Sequence, residues 1–235
     1  MLKTISSNKE TQEVADMFNR IAPQYDFLNH LLSFGVDKYW RRRLVKEVSK
    51  TRPQHILDAA TGTGDLAFLL YKKNKATVIG VDISEGMLAI ARKKQAAKAV
   101  PITFVQASAT ALPSPAQSFD AVTVAFGVRN FEDLRKGLQE IRNVLKPDGI
   151  VAILEFTTPR SWPMKPLYRF YSARIIPCIG RLISKHASAY TYLPTTIAAF
   201  PQREAFVGIL NELNFKDINY KTLTMGICGM YIAKR

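Results

Sequence analysis

The sequence predicts an α/β protein built on a doubly wound, mostly parallel sheet, with an N-terminal helical cap and a helical lid inserted after the fifth strand. Three observations carry that expectation. Between residues 55 and 156, short apolar runs rich in β-branched residues alternate with amphipathic segments of helix length. The first such run, HILDAA, meets a glycine-rich turn, TGTGD. Beyond Phe156 the alternation stops, and proline, aromatic and basic residues take over. A chain of 235 residues suits one such domain with an added lobe, and 47% hydrophobic residues supply a core.

The cap is expected over residues 1–52. Val14, Met17, Phe18 and Ile21 recur at helical spacing, which predicts a short amphipathic helix over residues 11–22, ended by Pro23. The polar and aromatic stretch PQYDFLNHLLSFGVDKYWRRR follows, and a second helix runs to about Lys50. Pro53 introduces the core, residues 53–156. Its strands are expected at HILDAA, ATVIGVD, ITFVQA, FDAVTVAF and GIVAILEF, and its helices over 66–73, Glu85–Ala97 and Glu132–Leu145. Residues 157–201 form the lid, where Pro159, Pro163, Pro166, Pro177 and Pro194 forbid one long helix. A helix over Gln202–Leu213 and a hairpin around LTMGICGMYIA close the domain, residues 202–235.

A nucleotide site is expected where the first strand turns into its helix, because ligands of such sheets bind outside the carboxyl ends of the strands. Gly62 and Gly64 permit close backbone approach and positive φ. Asp82 ends the second strand, where an acidic side chain can accept both ribose hydroxyls. A dinucleotide site would favour a third glycine and a bare helix N-terminus for its pyrophosphate. Here Ala67 stands at the third-glycine place and Asp65 opens the helix, with Asp58 before the loop. Two carboxylates around the turn point to a cationic ligand such as the sulfonium and amino groups of S-adenosyl-L-methionine. Asp65 also suits the helix N-terminus as a cap.

The net charge of +14 favours a polyanionic partner, either nucleic acid or an anionic membrane face. Cys178 and Cys228 form no CxxC pair, and His30, His55 and His186 show no metal-ligand spacing, so no metal is expected. The polar N-terminus lacks a signal peptide's apolar core, and no apolar run reaches 18 residues. These features predict a cytoplasmic protein that meets the membrane only peripherally. Residues 157–203 contain no acid, and their cations and aromatic rings suit a docking face and entrance for a lipid tail. Arg174, Arg181 and Lys185 are the charges expected to matter most there.

The segments MFNRIAPQYDFLNHLLSFGVDKYWR, DAATGTGDLA, AFGVRNFED, VLKPDGIVAILEF, FYSARIIPCIG and SAYTYLPTTI, spread from Phe18 to Gly226, resemble the quinone-biosynthesis C-methyltransferase family. DAATGTGD and VLKPDG are shared by class I (Rossmann-like) methyltransferases generally; YDFLNHLLSFG, FGVRN and YTYLPTTI are narrower. The resemblance implies methyl transfer from S-adenosyl-L-methionine to a polyprenylated quinol: demethylmenaquinol in menaquinone biosynthesis, or the benzoquinol precursor of ubiquinone. It implies that Thr63, Asp82 and the pair Ser108 and Ala109 bind the methyl donor. Methylating a ring carbon needs the electron-rich quinol and loss of a phenolic proton. Arg129 is expected to stabilise the phenolate or orient a water, and to pair with Glu155 or Asp26; Tyr25 and Asp26 are the further catalytic candidates, Asp26 as base. Two other readings stay open. An RNA methyltransferase fits the charge, but NPPY-type tetrapeptides are absent and AFGVRN stands in their place, so no nucleic-acid partner is expected. The other is a non-catalytic protein that binds the methyl donor within a quinone-synthesis assembly.

Overall fold

The computed structural model describes residues 2–175 and 187–235, with side chains described for 12–175 and 192–235. Among the described residues one seven-stranded sheet forms the centre. Its strands are β1 (His55–Ala59), β2 (Thr77–Asp82), β3 (Ile102–Gln106), β4 (Phe119–Ala125), β5 (Leu145–Phe156), β6 (Lys216–Leu223) and β7 (Cys228–Lys234). The order is β3-β2-β1-β4-β5-β7-β6. Neighbours from β3 to β5 are parallel, whereas β7 runs antiparallel to both β5 and β6. The expected five parallel strands and closing hairpin are all present. The chain order reverses between β1 and β4, so a crevice opens at their carboxyl ends.

Strands β1, β4 and β5 are covered on both faces, which is why their sequences read as continuous apolar runs. On one face pack α2 (Val36–Val48), α3 (Asp65–Asn74) and α4 (Glu85–Lys98), through Trp40, Leu44, Leu70 and Leu88. On the other pack α5 (Leu134–Val144) and α8 (Glu204–Glu212), through Leu138, Ile141, Phe206 and Leu210. The N-cap of α5 is Asp133, whose side chain accepts from the Lys136 N–H at 2.9 Å.

The first helix departs from expectation. Pro23 does not end it: α1 runs from Leu2 to Leu32 with Pro23 inside. An interior proline costs about 3 kcal/mol. Burial of Ile21 and Leu28 against Met87 of α4 returns on the order of 2 kcal/mol per large side chain, so packing outweighs the missing bond. Asn19 adds a polar anchor. Its Oδ1 accepts from the Ser84 hydroxyl at 2.7 Å and the Gly86 N–H at 2.9 Å. Gly86 admits this approach because a Cβ there would lie 3.0 Å from Asn19 Oδ1.

The lid carries α6 (Met164–Phe170), a wider-turned continuation over 171–175, and α7 (Ala187–Ala199). Three contacts tie it down. The Tyr171 hydroxyl donates to the Leu32 carbonyl at 2.6 Å, its ring lies 5.9 Å from that of Phe34, and the Tyr192 hydroxyl donates to Asn130 Oδ1 at 3.1 Å. Pro177, Cys178, Arg181, Lys185 and His186 lie outside the described residues. No described helix is long and apolar enough to cross a membrane.

Candidate active site

Two cavities meet at the carboxyl edge of the sheet. Ala60 and Phe126, at the ends of β1 and β4, take left-handed conformations with φ of 51° and 62°, which turn the chain away from the edge. Such conformations cost of order 1 kcal/mol each and persist where the surroundings over-determine them. The first cavity, about 240 Å³, opens beside these turns. Four of the expected donor-binding residues line it: Gly62, Asp82, Ser108 and Ala109.

With Glu132, Asp82 is one of two carboxylates that line this cavity. One oxygen accepts the Gly62 N–H at 2.8 Å and the other the Ser84 N–H at 2.9 Å. Burial raises its pKa, and these backbone donors work against that rise. Each oxygen keeps acceptor capacity beyond its backbone donor, which suits a ligand diol. The Ser108 hydroxyl pairs with that of Thr110 at 2.8 Å. The donor set is the Asp82 and Glu132 carboxylates beside apolar walls from Phe18, Met87 and Phe131, and it fits S-adenosyl-L-methionine.

The other expected residues stand behind this wall rather than in it. Asp58 is buried under the loop, with its oxygens taken by the hydroxyls of Thr61 and Thr123, each at 2.6 Å. Burial pushes its carboxyl up to about 6 despite those bonds. It braces the turn from beneath. Gly64 starts α3 at φ 83°, and a Cβ there would meet Phe104 at 2.9 Å. The Thr63 hydroxyl donates to Asp26 at 2.5 Å and accepts from Lys94 at 3.1 Å. Asp65 makes no side-chain cap; it pairs with Lys94 at 2.8 Å. Asp58 and Asp65 thus both have protein partners, and Asp82 and Glu132 are the acids that line the cavity.

Asp26, the candidate base, forms an ion pair with Lys94 at 2.6 Å and lines neither cavity. The cause is helix phase. Because α1 continues past Pro23, Phe18, Ile21, Tyr25 and Asn29 share one stripe, and Asp26 lies a hundred degrees around from Tyr25. Tyr25 is on the stripe and lines both cavities.

The second cavity, about 480 Å³, is enclosed mainly by apolar and aromatic side chains of α1, α2, α6 and α7, among them Leu32, Trp40, Leu167, Tyr168, Leu193 and Ile197. It shares Phe18, Tyr25, Phe126, Arg129 and Tyr192 with the first. Arg129 is thus a wall common to both. Its Nη1 donates to Glu155 Oε1 at 2.7 Å and to the Phe126 carbonyl at 2.5 Å, and its guanidinium lies 5.5 Å from the centre of the Phe156 ring. Glu155 is fully buried and also accepts the Arg129 N–H at 3.2 Å. Of the two partners expected for Arg129, Glu155 is the one it takes. The Nε of Arg129 is buried with no partner.

The tyrosines around Arg129 are held neutral. Burial raises Tyr25, with Arg129 and Arg41 pulling the other way; burial pushes Tyr168 up to about 12 and raises Tyr192. All three therefore present hydroxyl donors. Sequence reasoning missed Phe18, Trp40, Tyr168 and Tyr192 as site residues. Asn130 also lines the first cavity, and its Oδ1 accepts the Tyr192 hydroxyl. The helical spacing of Phe18, Ile21, Tyr25 and Asn29 was the available signal, and the expected stop at Pro23 concealed it.

The profile of the ubiE/COQ5 methyltransferase family matches residues 5–235. A demethylmenaquinone methyltransferase of Bacteroides fragilis is 46% identical over 98% of this chain and 95% of its own length. The ubiquinone/menaquinone biosynthesis C-methyltransferase UbiE of Geobacter sulfurreducens is 45% identical over 95% of this chain and 89% of its own. Among solved structures, an S-adenosylmethionine-dependent methyltransferase from Aquifex aeolicus superposes with a TM-score of 0.56 at 19% identity, covering 77% of this chain and 81% of that one, a likeness of fold.

Proposed function

The chain belongs to the ubiE/COQ5 methyltransferase family, and from that premise we propose that it methylates a ring carbon of demethylmenaquinol to give menaquinol. It is an S-adenosyl-L-methionine-dependent C-methyltransferase of quinone biosynthesis. The observation that carries the substrate reading is the meeting of the cavity lined by Asp82 with a larger apolar one at Arg129. The first suits the methyl donor; the second suits an aromatic head with a prenyl chain behind it.

S-adenosyl-L-methionine supplies an electrophilic methyl, whose bond to sulfur breaks as the bond to the ring carbon forms. Arg129 holds positive charge beside the phenolate that forms on the ring and favours its ionisation. Tyr25, Tyr168 and Tyr192 keep their protons near neutral pH, so they donate hydrogen bonds to quinol oxygens and do not serve as bases. Asp37, which lines the second cavity, is a poor base as well. Burial would raise it, but the Ser33 hydroxyl at 2.6 Å and the charges of Arg41 and His30 hold it below the usual range. A water oriented by Arg129 takes the phenolic proton; after transfer the methylated carbon loses its proton to solvent and the oxygen regains one, so the quinol re-forms with one net proton released.

The substrate's tail sets the reaction at a membrane, so the protein works as a peripheral, cytoplasmic enzyme in contact with lipid. The benzoquinol precursor of ubiquinone is the second reading, favoured by the resemblance to UbiE at 45% identity. Transfer of labelled methyl to each reduced quinol in vesicles tests both. Label in the naphthoquinol product supports the proposal. Label in the benzoquinol product alone replaces it with the second reading, and label in neither removes both.

A further inference from the structure

We propose that the protein docks on an anionic lipid bilayer through the end of α1 and the basic groove beside it, a surface distinct from the lid. The inference deepens the reading of a membrane-borne substrate and rests on it for its purpose, though its geometry stands apart.

A third cavity of about 570 Å³ lies along α2, α3 and α4. Its floor is apolar, from Phe68, Leu69 and Val100. Its rim carries Lys38, Arg42, Lys72, Lys75 and Lys98, none within ion-pair distance of a described carboxylate. Asp65 also lines it, but that carboxylate is already paired with Lys94. A groove with a surplus of cations over an apolar floor is complementary to an anionic headgroup on an apolar chain.

The groove borders an apolar wedge. Phe27 and Leu31, one helical turn apart near the end of α1, are 62% and 39% exposed, and Phe34 just past the helix is 79% exposed. His30, between the first two, lines the basic groove, whereas Phe34 lines the apolar cavity proposed for the quinol. The wedge therefore joins the cation-rich groove to the rim of the substrate cavity. Contiguous exposed apolar side chains beside cations are the pattern of an interfacial helix end. With the wedge in the headgroup layer, the mouth of the substrate cavity faces the lipid from which the quinol comes.

The test is co-sedimentation of the full chain with vesicles of phosphatidylcholine alone or with phosphatidylglycerol. The triple variant Lys38→Ala, Arg42→Ala, Lys72→Ala is expected to lose about a hundredfold in affinity for the anionic vesicles, roughly fivefold for each cation. Phe27→Ser with Leu31→Ser is expected to weaken binding at high salt as well. Arg160→Ala with Arg169→Ala and Arg174→Ala, on the lid, is expected to bind as the parent does. None of the substituted groove and wedge residues lines the two reaction cavities, so methyl transfer to a short-tailed, water-soluble quinol should be unchanged in those variants and confirms that they fold. Transfer to a long-tailed quinol in vesicles should fall. Parental binding by the groove and wedge variants, loss of binding in the lid variant alone, or equal binding of the parent to neutral vesicles would each overturn the proposal. A parent that binds anionic vesicles through the groove yet methylates no quinol would sink the substrate reading and leave the docking surface standing.

Discussion

The two reaction cavities share five residues and are built in opposite ways. The first is a product of backbone turns: it sits where β1, β2 and β4 end, and Gly62 and Asp82 reach it through the geometry of strand ends. The second is a product of side chains from helices outside the sheet, and its walls come from segments far apart in the chain, with Leu32 near one end and Ile227 near the other. A turn-built pocket keeps its shape if the sheet keeps its register. A helix-built pocket holds only while several weak ties hold, such as Trp40 Nε1 donating to the Thr224 hydroxyl at 2.8 Å and Tyr171 donating to Leu32. The methyl-donor side is therefore the rigid half of the site and the quinol side the adjustable half.

The largest test strikes the wall common to both. Glu155→Ala leaves the buried Arg129 charge without its carboxylate, and a loss of about 3–5 kcal/mol in unfolding free energy is expected from denaturant titration. Methyl transfer should fall even under conditions where the variant is folded. A small stability change would mean that Arg129 is balanced elsewhere and that the two cavities are not held by one ion pair.

A second test asks whether the turn-built half is braced from below. The carboxyl of Asp58 titrates at about 6 in the fold, above its ordinary value of 3.8. The folded state thus holds a proton that the unfolded state has released. The associated stability is present in full below about 4, is lost as pH rises to about 6, and changes no further above that. The difference amounts to the order of 2–3 kcal/mol. Asp58→Asn should remove this component, so its stability profile over that window should be flatter than the parent's. Parallel profiles would show Asp58 to be less buried than its threonine partners imply.

Asp82→Ala separates the cavities. The loss of a charged acceptor, roughly 1.5–3 kcal/mol, should weaken donor binding about tenfold or more in calorimetry. Quinol affinity should stay as it is, because Asp82 lines the first cavity alone. If both affinities fall together, the independence of the halves is lost. The smallest effect is expected for Tyr171→Phe, which removes one hydrogen bond worth about 1 kcal/mol between lid and cap. Its mark should be a raised KM for quinol with donor binding unchanged. A change in donor binding instead would show that the lid also governs the turn-built half.

Legibility in the sequence follows the same division. The core strands were expected within a residue or two, save that β5 starts at Leu145, four residues before the expected Gly149, because central parallel strands read as unbroken apolar runs and the glycine turn marks the end of β1. Asp82, Ser108 and Ala109 line the first cavity as expected of strand ends, where position along the chain fixes position in space. Asp26 and Tyr25 show the limit. They are adjacent in sequence and were assigned together, yet one hundred degrees of helix rotation puts Tyr25 in the site and Asp26 against Lys94. Thr63 and Asp65 meet a partner that the sequence does not reveal. Their places in the loop were legible, but Lys94 of another helix claims both side chains.

By itself, the sequence determined the parallel sheet, the site at its carboxyl edge, the family and its methyl donor. These follow from local patterns: periodicity of apolar residues, the positive φ that glycine permits, and an acid at a strand end. Only the tertiary structure decided that α1 runs through Pro23, that Glu155 and not Asp26 balances Arg129, and that four helices close an apolar cavity beside the donor site. Each of those outcomes is a competition between a local preference of a few kcal/mol and packing or charge supplied by a distant segment. Such a contest is settled by which groups meet in space.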